Sequence, residues 1–153
     1  LGSKISDPVK LAAAYQSVIN QYKVTAVDFD IEGGIIADKA SINSRNIALK
    51  ILKQNNPKLR ISYTLPVLPT GLTNDGYYVL TSAVQNGATI DVINLMTMDF
   101  GPGVAPNGAT GMGGYSISAA TAVYNQIQKA GLKSTIGICP MVKDISNKID
   151  WEE

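Results

Sequence analysis

Apolar and polar positions along this chain alternate between two periods, one helical and one of strand type. After Ser6-Asp7-Pro8, the residues Leu11, Tyr15, Val18, Ile19 and Tyr22 recur at helical spacing and predict a helix with that face buried. Asp7 is placed to cap it, and Pro8 suits its first turn. From Val24 the period becomes two. Val27, Phe29 and Ile31 share one side of a predicted strand, and Asp28, Asp30 and Glu32 share the other. Gly33-Gly34 then permits a tight turn away from the strand. A second helix is predicted from about Ala37 to Asn55, with Ile42, Ala48, Leu49 and Leu52 inward, and Asn55-Asn56-Pro57 ends it. A strand over Arg60–Val67 leads into the loop Pro69-Thr70-Gly71. A helix from about Asn74 to Gln85 closes at Asn86-Gly87, and a strand follows over Asp91–Asp99. The glycine-rich stretch Gly101 to Gly114 separates that strand from a helix at about Ser118 to Lys129, ending at Gly131. Thr135–Met141 is the last predicted strand.

Strand and helix thus alternate throughout, and each crossover is long enough to join parallel strands. No close repeat and no linker interrupts residues 1–153, so the expectation is a single α/β domain segment. A chain of 153 residues can bury a real core, but a complete (β/α)8 barrel typically needs ~250 residues.

Composition removes several kinds of chemistry. Thirteen basic residues balance twelve acidic ones with no basic run, so a nucleic-acid partner is not expected. No apolar run reaches the ~20 residues of a membrane span. One cysteine and no histidine exclude an internal disulfide, a zinc cluster and both Ser-His-Asp and Cys-His catalysis within this chain. Cys139, in an apolar strand before Pro140, reads as a small core residue. The glycine-rich stretch lies between a strand and a helix, where a phosphate cradle could form. It has no Gly-Lys-Ser/Thr and no dinucleotide fingerprint, and it reads as a flexible loop on the substrate side.

The acid strand carries the strongest chemical signal. Its three carboxylates stand about 6.7 Å apart from one to the next by strand rise. Such a row repels itself and loses hydration if enclosed, which stability alone would not select. Three readings are open: a solvated sheet face, a Ca²⁺ or Mg²⁺ site, and a catalytic site where neighbouring carboxyl groups are driven to different protonation states. The opposite face is wholly apolar and the strand lies between helices, which implies a parallel sheet covered on both sides. EF-hand ligands sit on a loop, and this is a strand. The catalytic reading is therefore favoured.

The run Asp28-Phe29-Asp30-Ile31-Glu32 resembles the Asp-x-x-Asp-x-Asp-x-Glu signature of glycoside hydrolase family 18, the chitinase family. The first acid of that signature is replaced by Thr25, and the usual glycine after it by Ala26. Met96-Thr97-Met98-Asp99 is similar to the family's sixth-strand motif, in a version familiar from a bacterial branch, with Met98 where many members have tyrosine. Ile61-Ser62-Tyr63-Thr64-Leu65-Pro66 resembles the fifth strand, and Ile136-Gly137-Ile138-Cys139-Pro140-Met141 the seventh. The resemblance implies a partial (β/α)8 TIM barrel covering roughly strands 4 to 7, in one catalytic barrel domain. The family's third-strand region and its first and last strands have no counterpart here, and Trp151 does not match the tryptophan of the last strand.

What the resemblance implies for function is hydrolysis of β-1,4 N-acetylglucosamine linkages in chitin or related glycans, without a cofactor or metal, by a retaining, substrate-assisted route. Glu32 would be the general acid and then the base. Its proton would be held on by burial and by the charge of Asp30. Asp30 would orient the substrate acetamide, and Asp28, deeper, would share a proton or hydrogen bond with Asp30. Met96, Met98, Asp99, Tyr63 and Asn94 are the expected substrate-binding residues; for Met96 core filling is the alternative reading, and Asp99 is placed to bond to substrate or to Glu32, or to cap a turn. A thioether at Met98 cannot donate the hydrogen bond of the family tyrosine. Related activities on glycoprotein glycans and sugar binding without hydrolysis are the alternatives; retention of both Asp30 and Glu32 counts against the second. A polymeric substrate implies a secreted protein. With unpaired strand edges, the isolated 153 residues are expected to self-associate or be poorly soluble, and to be inactive.

Overall fold

The structure, a computed structural model, describes residues 2–141; Trp151 lies outside the described residues. Its elements are α1 (Pro8–Tyr22), β1 (Ala26–Asp30), a 3-10 turn (Gly33–Ala37), α2 (Lys39–Asn55), β2 (Arg60–Pro66), α3 (Asn74–Asn86), β3 (Val92–Met96), α4 (Gly108–Ala130) and β4 (Thr135–Cys139). The four strands form one sheet in the order β1-β2-β3-β4, and every pair is parallel. This is the arrangement of consecutive strands in a (β/α)8 barrel, as expected from the alternation of periods.

Local chemistry sets the helix ends. Asp7 Oδ1 accepts from the Val9 and Lys10 backbone N–H groups, and Pro8 begins α1. Asp38 caps α2 through Ser41, and Thr73 caps α3 through Gly76. Gly87 and Gly131 end α3 and α4 in the left-handed region that glycine adopts without penalty.

The core lies between the helices and one face of the sheet. Ile61, Tyr63 and Leu65 of β2 and Ile93 and Leu95 of β3 are fully buried, as are Ile42, Leu49 and Leu52 of α2 and Val79 and Leu80 of α3. Leu11 and Ala12 of α1 meet Ala48 of α2 in a smaller cluster. A polar thread crosses this layer. Tyr63 donates to Asn46 Oδ1 at 2.7 Å, Asn46 Nδ2 donates to Ser82 Oγ at 2.9 Å, and Ser82 donates to Asn43 at 2.6 Å. Burial drives the Tyr63 hydroxyl far above its ordinary pKa, against the opposing pull of the Arg45 charge, so it acts only as a neutral donor.

At the opposite end of the sheet from Glu32, Asp91 ties β2 to β3. Its Oδ2 accepts from the Ile61 N–H at 2.8 Å and from Lys53 Nζ at 2.9 Å, and Lys53 also donates to the Leu59 carbonyl at 2.7 Å.

Several expectations are corrected. Val18 and Tyr22 are 46% and 67% exposed, because α1 packs on α2 through the Leu11, Ala12 and Ile19 stripe and turns those two residues outward. The second helix starts at Lys39, after a 3-10 turn that consumes Gly33–Ala37. The third strand stops at Met96, short of Asp99. The second half of the glycine-rich stretch is helical: α4 begins at Gly108, ten residues before the expected start. Glycine costs about 1 kcal/mol per residue in a helix. Here Met112, Tyr115 and Ala119 pack that turn onto the core and outweigh the cost. The Tyr115 ring also lies where a Gly111 side chain would begin, 2.9 Å from an added Cβ, so the helix needs a glycine at that contact.

Candidate active site

The second face of the sheet carries the acids. Alternation puts Asp28 and Asp30 of β1 on it, and the register aligns Ser62 and Thr64 of β2 beside them. Asn94 follows next to Thr64, Gly137 next to Asn94, and Cys139 next to Met96. Behind β1, Phe29 stacks edge-on against Tyr15 at 4.8 Å and Tyr63 at 6.3 Å between ring centroids, which fixes the strand from its apolar side.

Glu32 lies two residues past the end of β1. Ile31 still donates to the Thr64 carbonyl at 3.0 Å and is fully buried, and Glu32 keeps an extended backbone. The alternation therefore carries through, and Glu32 emerges on the side of Asp30 at the C-terminal rim of the sheet. Gly33 then turns the chain with a φ of +58°.

Asp28 is held on both oxygens. Ser62 Oγ donates a short hydrogen bond to Oδ1, and Thr64 Oγ1 donates to Oδ2 at 2.7 Å. Asn94 Nδ2 in turn donates to Thr64 Oγ1 at 3.1 Å. The expected link between Asp28 and Asp30 is absent among the described residues; Asp28 is engaged sideways, across the sheet. Ser62, Thr64 and Gly137 were not singled out from the sequence. The signal was there in Ile61-Ser62-Tyr63-Thr64-Leu65, whose small polar residues alternate with the core residues as the acids do in β1.

Three burial expectations fail. Asp28, Asp30 and Glu32 are exposed, because all four helices cover the other face of the sheet. The acid face is the one that lines the interior when such a sheet closes into a barrel. Burial of Glu32 is thus not supplied by the described residues. Tyr63, expected in the pocket, is fully buried on the helix side of β2, since it shares the parity of Ile61 and Leu65. Cys139 is half-buried, and its register with Met96 puts it on the acid face, not in the core.

Asn94 and Met96 do lie on the acid face. Met98 and Asp99 lie beyond the strand, so their placement follows from a bend. Thr97 N–H bonds to both Leu95 and Cys139 carbonyls, and Asp99 adopts a positive φ of 49°. Asp99 is exposed, and among the described residues no hydrogen bond joins it to Glu32. Among the same residues no group of three or more acids or cysteines is placed to hold a metal ion.

No protein-family model matches the chain. It is 34% identical over 143 residues to a probable bifunctional chitinase/lysozyme of Escherichia coli K12, an alignment covering 84% of this chain and 16% of that protein. It is also 34% identical to endochitinase 11 of Metarhizium anisopliae, covering 84% of this chain and 27% of that protein. Its fold superposes on the catalytic domain of a hyperthermophilic chitinase from Pyrococcus furiosus with a TM-score of 0.73 and 31% identity, over 90% of this chain and 45% of that domain. Catalytic-site mutants of the same organism's thermostable chitinase, complexed with chito-oligosaccharides, match at 29% identity with the same TM-score, over 90% of this chain and 44% of theirs. The chain therefore spans less than half the length of the proteins it matches. Strand motifs, sheet order and these relatives agree: the chain is a chitinase-like part of a glycoside hydrolase family 18 catalytic barrel.

Proposed function

We propose that the protein containing this chain hydrolyses β-1,4 linkages between N-acetylglucosamine units in chitin or chito-oligosaccharides. The observation that carries this reading is the row Asp28, Asp30 and Glu32 on one face of a parallel strand, ending at the C-terminal rim where barrel enzymes do their chemistry. The similarity to chitinases, one of them complexed with chito-oligosaccharides, supports the substrate class.

Glu32 donates its proton to the glycosidic oxygen as the bond to the anomeric carbon breaks. The acetamide oxygen of the same sugar attacks that carbon, and Asp30 orients the acetamide and offsets the positive charge that develops on it. Water then opens the ring so formed, giving its proton to Glu32, and the configuration is retained. Asn94, Met96, Met98 and Asp99 lie around or beyond the acid face and contact the sugar. Closure of the sheet by further strands would enclose Glu32 and withdraw it from water. A polymer too large to cross a membrane places the enzyme outside the cell.

The acetamide supplies the nucleophile, so it is the group to remove. The full-length gene product should cleave an N-acetylglucosamine oligomer and leave the fully deacetylated oligomer uncut. Equal cleavage of both would exclude substrate assistance and with it the assigned role of Asp30.

A further inference from the structure

The hydrogen bonds around Asp28 have a fixed direction. An amide Nδ2 only donates, so the bond from Asn94 occupies an acceptor site on Thr64 Oγ1. The single hydroxyl hydrogen of Thr64 is then free to point at Asp28 Oδ2. Ser62 brings a second hydroxyl to Oδ1. Gly137 makes the arrangement possible from the far strand. A Cβ built there would stand 2.7 Å from Asn94 Oδ1, closer than side chains tolerate, so the Asn94 amide uses the space a side chain would take. The relay thus runs from Gly137 of β4 through Asn94 of β3 to Thr64 of β2 along adjacent register positions, and then diagonally from Thr64, the register partner of Asp30, to Asp28 of β1.

We propose that Thr64 is a positioning residue for the reaction, oriented by Asn94 over Gly137, and that it holds Asp28 as a fixed acceptor beneath Asp30. This inference rests on the reading of Asp30 and Glu32 as the reacting acids. Thr64 stands in register with Asp30, but its described side-chain hydrogen bond goes to Asp28. A carboxylate anchored on both oxygens cannot rotate, so the strand position below Asp30 presents a constant shape and charge. Loss of the anchor leaves substrate binding at the rim intact and disturbs only the alignment needed in the transition state. That defect appears in kcat, with KM unchanged.

The test uses the full-length gene product and an N-acetylglucosamine oligomer, with four variants: Thr64→Val, Thr64→Ser, Gly137→Ala and Glu32→Gln. Valine keeps the shape of threonine without the hydroxyl. The expected result is a kcat reduced about 10²-fold in Thr64→Val with KM within twofold of the parent, and near-parent kcat in Thr64→Ser. Gly137→Ala, three strand spacings from β1 and altering no atom of Thr64 or Asp28, should lower kcat by displacing Asn94, and should also raise KM because Asn94 contacts the sugar. It also stands in for Thr64→Val should valine prevent folding. Parent-like kcat in Thr64→Val or Gly137→Ala, with Glu32→Gln inactive, overturns the inference and leaves the catalytic reading standing. Failure of Thr64→Ser to restore kcat also overturns it. Full turnover by Glu32→Gln overturns both.

Discussion

The hydroxyl of Tyr63 and the side-chain oxygen of Asn46 are 2.7 Å apart, in the layer between sheet and helices. Both residues are fully buried. This bond makes a residue that sequence similarity suggested for the pocket into part of the scaffold. Replacing Tyr63 by Phe leaves Asn46 Oδ1 buried and unpaired, at a cost of about 1–3 kcal/mol. Thermal melting of the full-length Tyr63→Phe variant should show a midpoint several degrees below the parent, with KM for N-acetylglucosamine oligomers unchanged. A raised KM with no loss of stability would return Tyr63 to the pocket.

The Lys53–Asp91 pair makes a different prediction from an ordinary surface ion pair, which contributes at most about 1 kcal/mol. Asp91 also receives the Ile61 N–H, and Lys53 also reaches the Leu59 carbonyl. Asp91→Ala should therefore destabilise by about 1–3 kcal/mol in denaturant unfolding. Asp91→Asn keeps an acceptor for Ile61 and should lose less. Equal and small effects of both substitutions would show that only the exposed ion pair matters.

Expressed alone, the 153 residues should self-associate. β1 and β4 are the edges of the sheet, and exposed apolar residues flank it at both ends, Tyr22 at 67% on α1 and Ile117 at 68% and Tyr124 at 56% on α4. Sedimentation velocity at micromolar concentration should show dimers or larger species and no turnover. A monomer that unfolds cooperatively and cleaves substrate would contradict this.

Much of the scaffold was legible because period and caps are local. Asp7-Pro8, Asn86-Gly87 and the Ile42, Ala48, Leu49, Leu52 stripe each specify their own element, and the structure has them there. Long-range packing was not legible. Glycines at 111, 113 and 114 hid a helix start that Tyr115 and Met112 stabilise from the core. The acid row and its rim position could be read from alternation in β1 alone. Its lateral support could not, because Ser62, Thr64, Asn94 and Gly137 come together only through the register of four strands. Tyr63 was misplaced for the same reason: a strand motif fixes which residues alternate, while the packing decides which face turns to the helices.

The central claim is that Glu32 supplies the proton for glycosidic cleavage. The most direct measurement compares the full-length gene product with its Glu32→Gln variant on a fluorogenic N-acetylglucosamine trisaccharide, with binding of the unlabelled sugar followed by calorimetry. The amide has nearly the same shape and cannot deliver the proton. The account predicts hydrolysis by the parent, a loss of several orders of magnitude in kcat for the variant, and retained sugar binding. A folded parent that binds the sugar without turning it over, or a Glu32→Gln variant that hydrolyses it at the parent's rate, would contradict the account.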